Sequence, residues 1–130
     1  MKNILSKGHD SNMKKLSINH KNFTSEANYL DLHDGELKDI YCSYDHHEIE
    51  IPVTLDTPHK KNVKAKLKFT GVLNFSISFL EPWGSGIYIN EFKVVKCEGK
   101  ITEALNCEIL LNSGDKISIH SSEIFYSEEK

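Results

Sequence analysis

From Val63 to Phe79 the chain alternates. The odd positions are apolar or glycine: Val63, Ala65, Leu67, Phe69, Gly71, Leu73, Phe75, Ile77 and Phe79. The even positions are mostly polar: Lys64, Lys66, Lys68, Thr70, Asn74, Ser76 and Ser78. A period of two predicts a β-strand with one dry face and one wet face. At roughly 3.3 Å per residue the stretch would run about 56 Å, longer than an ordinary strand. The chain must therefore bend or turn, and Gly71 is the place. Gly71 either marks a bulge or sharp bend in one long strand that wraps a core, or centres a three-residue hairpin loop, Thr70-Gly71-Val72. The hairpin would set Phe69 opposite Leu73, Leu67 opposite Phe75 and Ala65 opposite Ile77. Both arrangements keep the apolar face intact. Val72 is a poor loop residue, which favours the bend.

The same reading extends along the chain. Residues 1–22 are rich in Lys, Asn, Ser and Gly, and only Leu16 and Ile18 hint at structure. They read as a flexible arm or a short docking strand, with a single β domain over 23–130. Thr24 or Ser25 could cap a short helix through Leu30. Asp34-Gly35 is a turn signal leading into a strand over 36–44. Leu37 and Ile40 differ in parity there, which predicts a bulge. Asp45-His46-His47 turns the chain. Ile49, Ile51, Val53 and Leu55 then share one face, while Pro52 argues for an edge or a bulge. Residues 56–62 form a loop, and Glu81-Pro82-Trp83-Gly84-Ser85-Gly86 is the strongest turn. A strand runs from Ile87 towards Cys97, broken by Glu98-Gly99-Lys100. Leu105 to Leu111 alternates again, turns at 112–116, and returns in a hairpin that pairs Leu111 with Ile117 and Ile109 with Ile119. The last strand reaches about Tyr126, and 127–130 read as a frayed acidic tail. Seven to eight strands with short connections predict an all-β domain, a single antiparallel β-sandwich or open barrel.

Composition narrows the function. The 130 residues suffice for one domain with a real core. The sequence has no Arg and no Gln, and its net charge is −3. Arg supplies bidentate contacts to phosphate and guanine, so nucleic acid is not an expected partner. Lysines and polar residues break every apolar run in 1–15, which removes a secretory h-region, and no segment has transmembrane length, so no membrane role is expected. Cys42, Cys97 and Cys107 lack metal-type spacing and read as free thiols in a reducing cytoplasm. Cys107 is in phase with an inward face.

Each candidate constellation has an ordinary competitor. His33-Asp34 matches the His-Asp pair of metal phosphohydrolases, but that family is helical and needs further ligands that this β-rich chain does not offer. Asp34 as a turn initiator is the simpler reading. His46 and Glu48 would share one side of a strand and His47 the other, so a metal there needs a ligand from elsewhere. A metal-dependent enzyme would have to draw on His33, His46 or His120. No catalytic residues, metal site or cofactor are assigned. Lys60, Lys61, Lys64, Lys66 and Lys68 form a basic run. The preceding residues 31–56 carry eight acids (Asp31, Asp34, Glu36, Asp39, Asp45, Glu48, Glu50, Asp56) against one base, Lys38. Cross-strand charge pairing is the expectation, with electrostatic docking of a protein as the functional version. Trp83, the only Trp, either plugs an end of the sandwich or anchors an interface. The elbow Gly-x-Ser-x-Gly is absent, and Gly84-Ser85-Gly86 is too short for a phosphate loop.

Three pieces carry a resemblance: Leu32-His33-Asp34-Gly35-Glu36-Leu37, Trp83-Gly84-Ser85 with Ile87-Tyr88-Ile89, and the run from Leu110 to Ile119. Together they resemble a group of small bacterial β-proteins, some of which look like immunity proteins encoded beside polymorphic toxins. The resemblance covers residues 30 to 126. It implies a cytoplasmic binding protein that neutralises a toxin by covering its active surface, with no catalytic residues to carry over. The expectation is thus a non-enzymatic protein-binding domain. Its contact residues would be Glu81, Trp83 and Tyr88 with the acids Asp34, Glu36, Asp45 and Glu48. The rival is a small-molecule or carbohydrate-binding β-sandwich with Trp83 and Tyr88 as a platform.

Overall fold

The computed structural model describes residues 15–21, 23, 30–58, 60–81, 83–84, 86–97 and 104–129. The fold is all-β. Among the described residues ten strands run in chain order: β1 (Lys15–Asn19), β2 (Glu36–Leu37), β3 (Tyr41–Ser43), β4 (Glu48–Leu55), β5 (Val63–Thr70), β6 (Asn74–Ile77), β7 (Ile89–Lys96), β8 (Leu105–Leu111), β9 (Lys116–Ser121) and β10 (Glu123–Glu129). They form two antiparallel sheets. The first has the order β1-β10-β5-β4-β2, with β3 also on β4; the second has the order β6-β9-β8-β7. The arrangement is sandwich-like and does not close into a barrel. The short helix anticipated before Leu30 falls at residues 24–29, and the break anticipated at 98–100 likewise lies outside the described residues.

The alternating stretches become the core. Ile49, Ile51, Val53 and Leu55 of β4 are buried, as are Ala65, Leu67 and Phe69 of β5. From the second sheet Val94, Cys107, Ile109, Ile117 and Ile119 join the same apolar cluster. Each fully buried large side chain contributes about 1.5–3 kcal/mol relative to exposure. On the wet face, Lys66 lies 3.9 Å from Glu50 and Lys68 lies 3.7 Å from Glu48. Lys64 donates to the Thr54 hydroxyl at 3.4 Å. Two of the five lysines thus answer acids of the neighbouring strand, and Lys60 answers Glu128 of β10.

The long stretch bends, and no hairpin forms there. β5 pairs with β4 and β10, whereas β6 pairs with β9 in the other sheet. The bend is Gly71, in the left-handed region at φ 61°. A second crossing lies beside it. The terminal stretch is not one strand: β9 and β10 divide at Ser122 and enter different sheets. Two paired strands therefore turn one corner together, as in sandwiches whose strands switch sheets. The Ser122 N–H donates to the Thr70 carbonyl at 3.0 Å. A Cβ on Gly71 would come within 2.5 Å of the Ser122 hydroxyl.

Other details differ from the sequence reading. The strand anticipated over 36–44 is split, because residues 38–40 span two positions of β4, Ile51 and Pro52. That is the anticipated bulge, and Pro52, which has no N–H to donate, sits opposite it. The β8–β9 hairpin is tighter than expected. Ile109 pairs with Ile117 and Cys107 with Ile119, a slip of two residues that preserves the faces. Gly114, at φ 96°, closes a short turn in which the Leu111 N–H meets the Asp115 carbonyl at 2.9 Å. Residues 127–129 are no frayed tail. They extend β10 between β1 and β5, and Glu128 is buried, accepting from Lys60 Nζ at 2.7 Å and Tyr126 Oη at 2.6 Å. The three cysteines are free thiols; Cys107 is buried and Cys42 exposed.

Candidate functional site

The connection from β6 to β7 is organised by one carboxylate. Asp115 is buried in the β8–β9 turn. Its Oδ1 accepts from the Ser78 hydroxyl and the Leu80 N–H, both at 2.7 Å. Its Oδ2 accepts from the Glu81 N–H at 2.9 Å and the Ser113 hydroxyl at 3.0 Å. Burial works against the charge on Asp115, but these donors outweigh it and hold the carboxyl below the ordinary aspartate range. The Trp83 N–H continues the anchoring, donating to the Ser113 carbonyl at 3.0 Å. Gly86 fits because the Asn112 side chain occupies the place of a Cβ.

This fixed backbone holds large apolar side chains in water. Phe79 is 78 % exposed, Leu80 81 % and Trp83 74 %. Trp83 is therefore no plug. The dry face read from Val63 to Phe79 also ends early. Leu73 is 56 % exposed, and Phe75 and Ile77 are only half-buried.

Below these residues the sandwich is open between β3 and β6 among the described residues, each the last described strand on its side. Two apolar grooves follow the opening. One, about 340 Å³, runs between Ile40 and Ile77 and is rimmed by Asp39, Phe79, Glu81 and Ile87. The other, about 450 Å³, lies between Cys42, Tyr44 and Ile49 on one side and Leu73 and Phe75 on the other. The gap narrows at two points. The Val72 N–H donates to the His47 carbonyl at 2.9 Å, and the Leu37 N–H to the Ile87 carbonyl at 2.8 Å.

The sequence-derived contact residues separate into three places. Glu81 and Trp83 belong to the anchored connection. Asp34, Glu36 and Tyr88 line a different, polar groove of about 540 Å³ with Thr54, Asp56 and Asn62. Glu36 and Tyr88 are bridged directly, and Asp34 holds φ 66° in its turn. Asp45 and Glu48 lie in and after the β3–β4 turn, where Glu48 pairs with Lys68 and also rims the second apolar groove. Trp83 and Tyr88 do not share the polar groove. Leu73 and Phe79 were missed because their alternation reads as core, and Leu80 because it lies just past that stretch. The signal for them is the absence of any charge across residues 73–80.

Metal chemistry has little to draw on. His33 Nδ1 lies 3.3 Å from Asp34, and His46 Nδ1 lies 2.9 Å from the Ser43 hydroxyl, both exposed. Among the described residues no three His, Cys, Asp or Glu side chains converge as a metal site. No helix among them is long and apolar enough to cross a membrane.

No protein-family model matches the chain, and no curated protein is similar to it. Among solved structures it is similar to an uncharacterised protein from Neisseria gonorrhoeae, with a TM-score of 0.47 and 21 % sequence identity, over 86 % of this chain and 96 % of that one.

Proposed function

We propose that this chain is a non-enzymatic protein-binding domain whose contact surface is the apolar flank around Phe79, Leu80 and Trp83. One observation carries the reading: three large apolar side chains stand in water on a backbone fixed by Asp115 and Ser113. Contiguous exposed apolar surface of this kind marks interaction sites. An aromatic anchor on a rigid support loses little conformational entropy when it binds. The form of binding we favour is immunity: capture of a toxin in the cytoplasm by covering its active surface. The acids Asp39, Asp45, Glu48 and Glu81 around the flank suit a basic partner.

The test uses the purified protein as bait in extract of the native host, beside Trp83→Ala, with mass spectrometry of what is retained. A stoichiometric partner that the wild type holds and a folded Trp83→Ala loses is the expected result. If its gene neighbours that of the bait, the immunity form is supported. A partner held equally by the variant would place the surface elsewhere. A second reading has its own observation, the polar groove holding Tyr88, Asp34 and Glu36. A sugar that raises the melting temperature of the wild type but not of Tyr88→Ala would favour carbohydrate binding there.

A further inference from the structure

We propose that the partner binds by strand addition to β6: an extended segment, apolar at alternate residues and carrying lysine or arginine between them, pairs with the open edge of that strand. This rests on the protein-binding reading and adds its mode and the chemistry of the partner.

The backbone is arranged for it. Among the described residues β6 has one neighbour, β9. Asn74 faces His120 and Ser76 faces Ser118, and the Ser78 N–H donates to the Lys116 carbonyl at 3.2 Å. Hydrogen-bonded positions alternate along an antiparallel pair. Ser76 and Ser78 thus bond towards β9, and Phe75 and Ile77 turn their N–H and C=O groups to the open flank. The Phe75 N–H folds onto the Asn74 side chain at 2.8 Å, a weak local cap that an incoming carbonyl could displace.

The side chains agree. Proteins guard free strand edges with charge. Edge strand β7 carries Glu91, Lys93 and Lys96, and β1 begins with Lys15. Residues 73–80 carry no charge, and neither does β3 across the gap. The two grooves beside the edge give an added strand places for alternate apolar side chains. The charges lining them are Asp39, Glu48, Glu81 and Asp115 against Lys38, and although Glu48 also pairs with Lys68 the balance stays acidic, which favours a basic segment. A second copy fits poorly. Antiparallel pairing of two β6 edges would bring the acids at one end of the flank, Asp39 and Glu81, towards Asp45 and Glu48 at the other end of the second copy.

The test titrates the full-length, isotope-labelled protein with a synthetic peptide of about eight residues alternating valine and lysine. Amide hydrogen exchange at Ile77 is the readout. Binding should slow that exchange by about tenfold or more. The same peptide N-methylated along one edge should not bind, nor should a valine–glutamate peptide. Ser76→Lys, which adds a positive charge to an exposed position of β6, should weaken the lysine peptide by about tenfold. Four results would overturn the proposal: no binding, unchanged exchange at Ile77, equal binding of the N-methylated or glutamate peptide, or protection of Ile77 by self-association without peptide. If these occur while Trp83→Ala still releases the host partner, strand addition fails and the protein-binding reading stands. If Trp83→Ala also releases nothing, both fail.

Discussion

The two sheets meet in contrasting ways at the corner and at the flank. At the corner, Gly71 and Ser122 bring paired strands so close that a Cβ on Gly71 would strike the serine. At the flank, β3 and β6 stand apart over two apolar grooves. Both regions come from one alternating stretch, residues 63–79, and differ in what lies between its apolar positions. Up to Lys68 the wet positions carry lysines paired to β4. Past Gly71 they are Asn and Ser. The lysines commit one face to solvent and so commit the other to the core. Where no charge stands on either side, the strand keeps both its edge and its apolar side chains available. The corner should thus control stability and the flank should control binding.

The largest effect is expected at the corner. Gly71→Val places a β-branched residue at φ 61° against Ser122. It should cost at least about 3 kcal/mol, seen as a lower urea midpoint. Adding Ser122→Gly should restore the part due to the clash and leave the part due to φ. A tolerated valine would mean that the corner is looser than it is drawn.

Next comes Glu128, which closes the far end of β10. Glu128→Ala leaves Lys60 and Tyr126 without their shared acceptor and should cost about 2 kcal/mol. Lys60 is 34 % exposed, so water can take up part of that loss. Burial pushes the Tyr126 phenol's pKa up, helped by the Glu128 hydrogen bond and charge, so it resists ionisation. In the variant, Tyr126 should ionise closer to the ordinary tyrosine range in an ultraviolet pH titration.

Asp115 makes the anchoring of the flank depend on pH. Its carboxyl is depressed in the folded state, so its contribution is complete above the ordinary aspartate range, near pH 4, and is lost as pH falls through the folded value. Stability measured between about pH 5 and pH 2 should fall less steeply for Asp115→Asn than for the wild type. A limb of unchanged slope would remove Asp115 as the anchor of the flank. The smallest effect on folding belongs to Trp83→Ala. It should shift stability by no more than about 0.5 kcal/mol, while weakening partner binding by about tenfold or more. A large loss of stability would place Trp83 in the core after all.

The fold was legible where polar and apolar residues alternate without exception. β5 is such a stretch, β4 and β8 depart from it only at Pro52 and Leu110, and their burial follows the pattern. The mismatch between Leu37 and Ile40 marked the bulge, and Pro52 marked the strand opposite it. The crossing at Ser122 was missed because Ile117 to Tyr126 reads as one strand, although the apolar parity changes there, from Ile117 and Ile119 to Ile124 and Tyr126. The β8–β9 register was missed by two residues because parity fixes faces and not pairs. The hydrogen bonds of Asp115 that hold the turn come from residues far along the chain. Glu128 was missed because a terminal acid looks solvated until Lys60 is found beside it. The candidate site was half legible. Trp83 stood out in its turn, but Asp34, Glu36 and Tyr88 proved to line a separate groove, Phe79 was masked by the alternation it ends, and Leu80 fell between that stretch and the turn.

The pairing of Lys15 with Ser127 sets an order of events during synthesis. The first sheet cannot be completed until residues 123–129 have left the ribosome, since β10 sits between β1 and β5. Contacts so distant in sequence make for slow folding. For most of that interval, until β9 emerges just ahead of β10, the uncharged run 73–80 has no β9 beside it and both of its edges are open. Such a segment is what chaperones hold. The yield of this protein should therefore depend on translation speed and chaperone supply more steeply than its final stability would suggest.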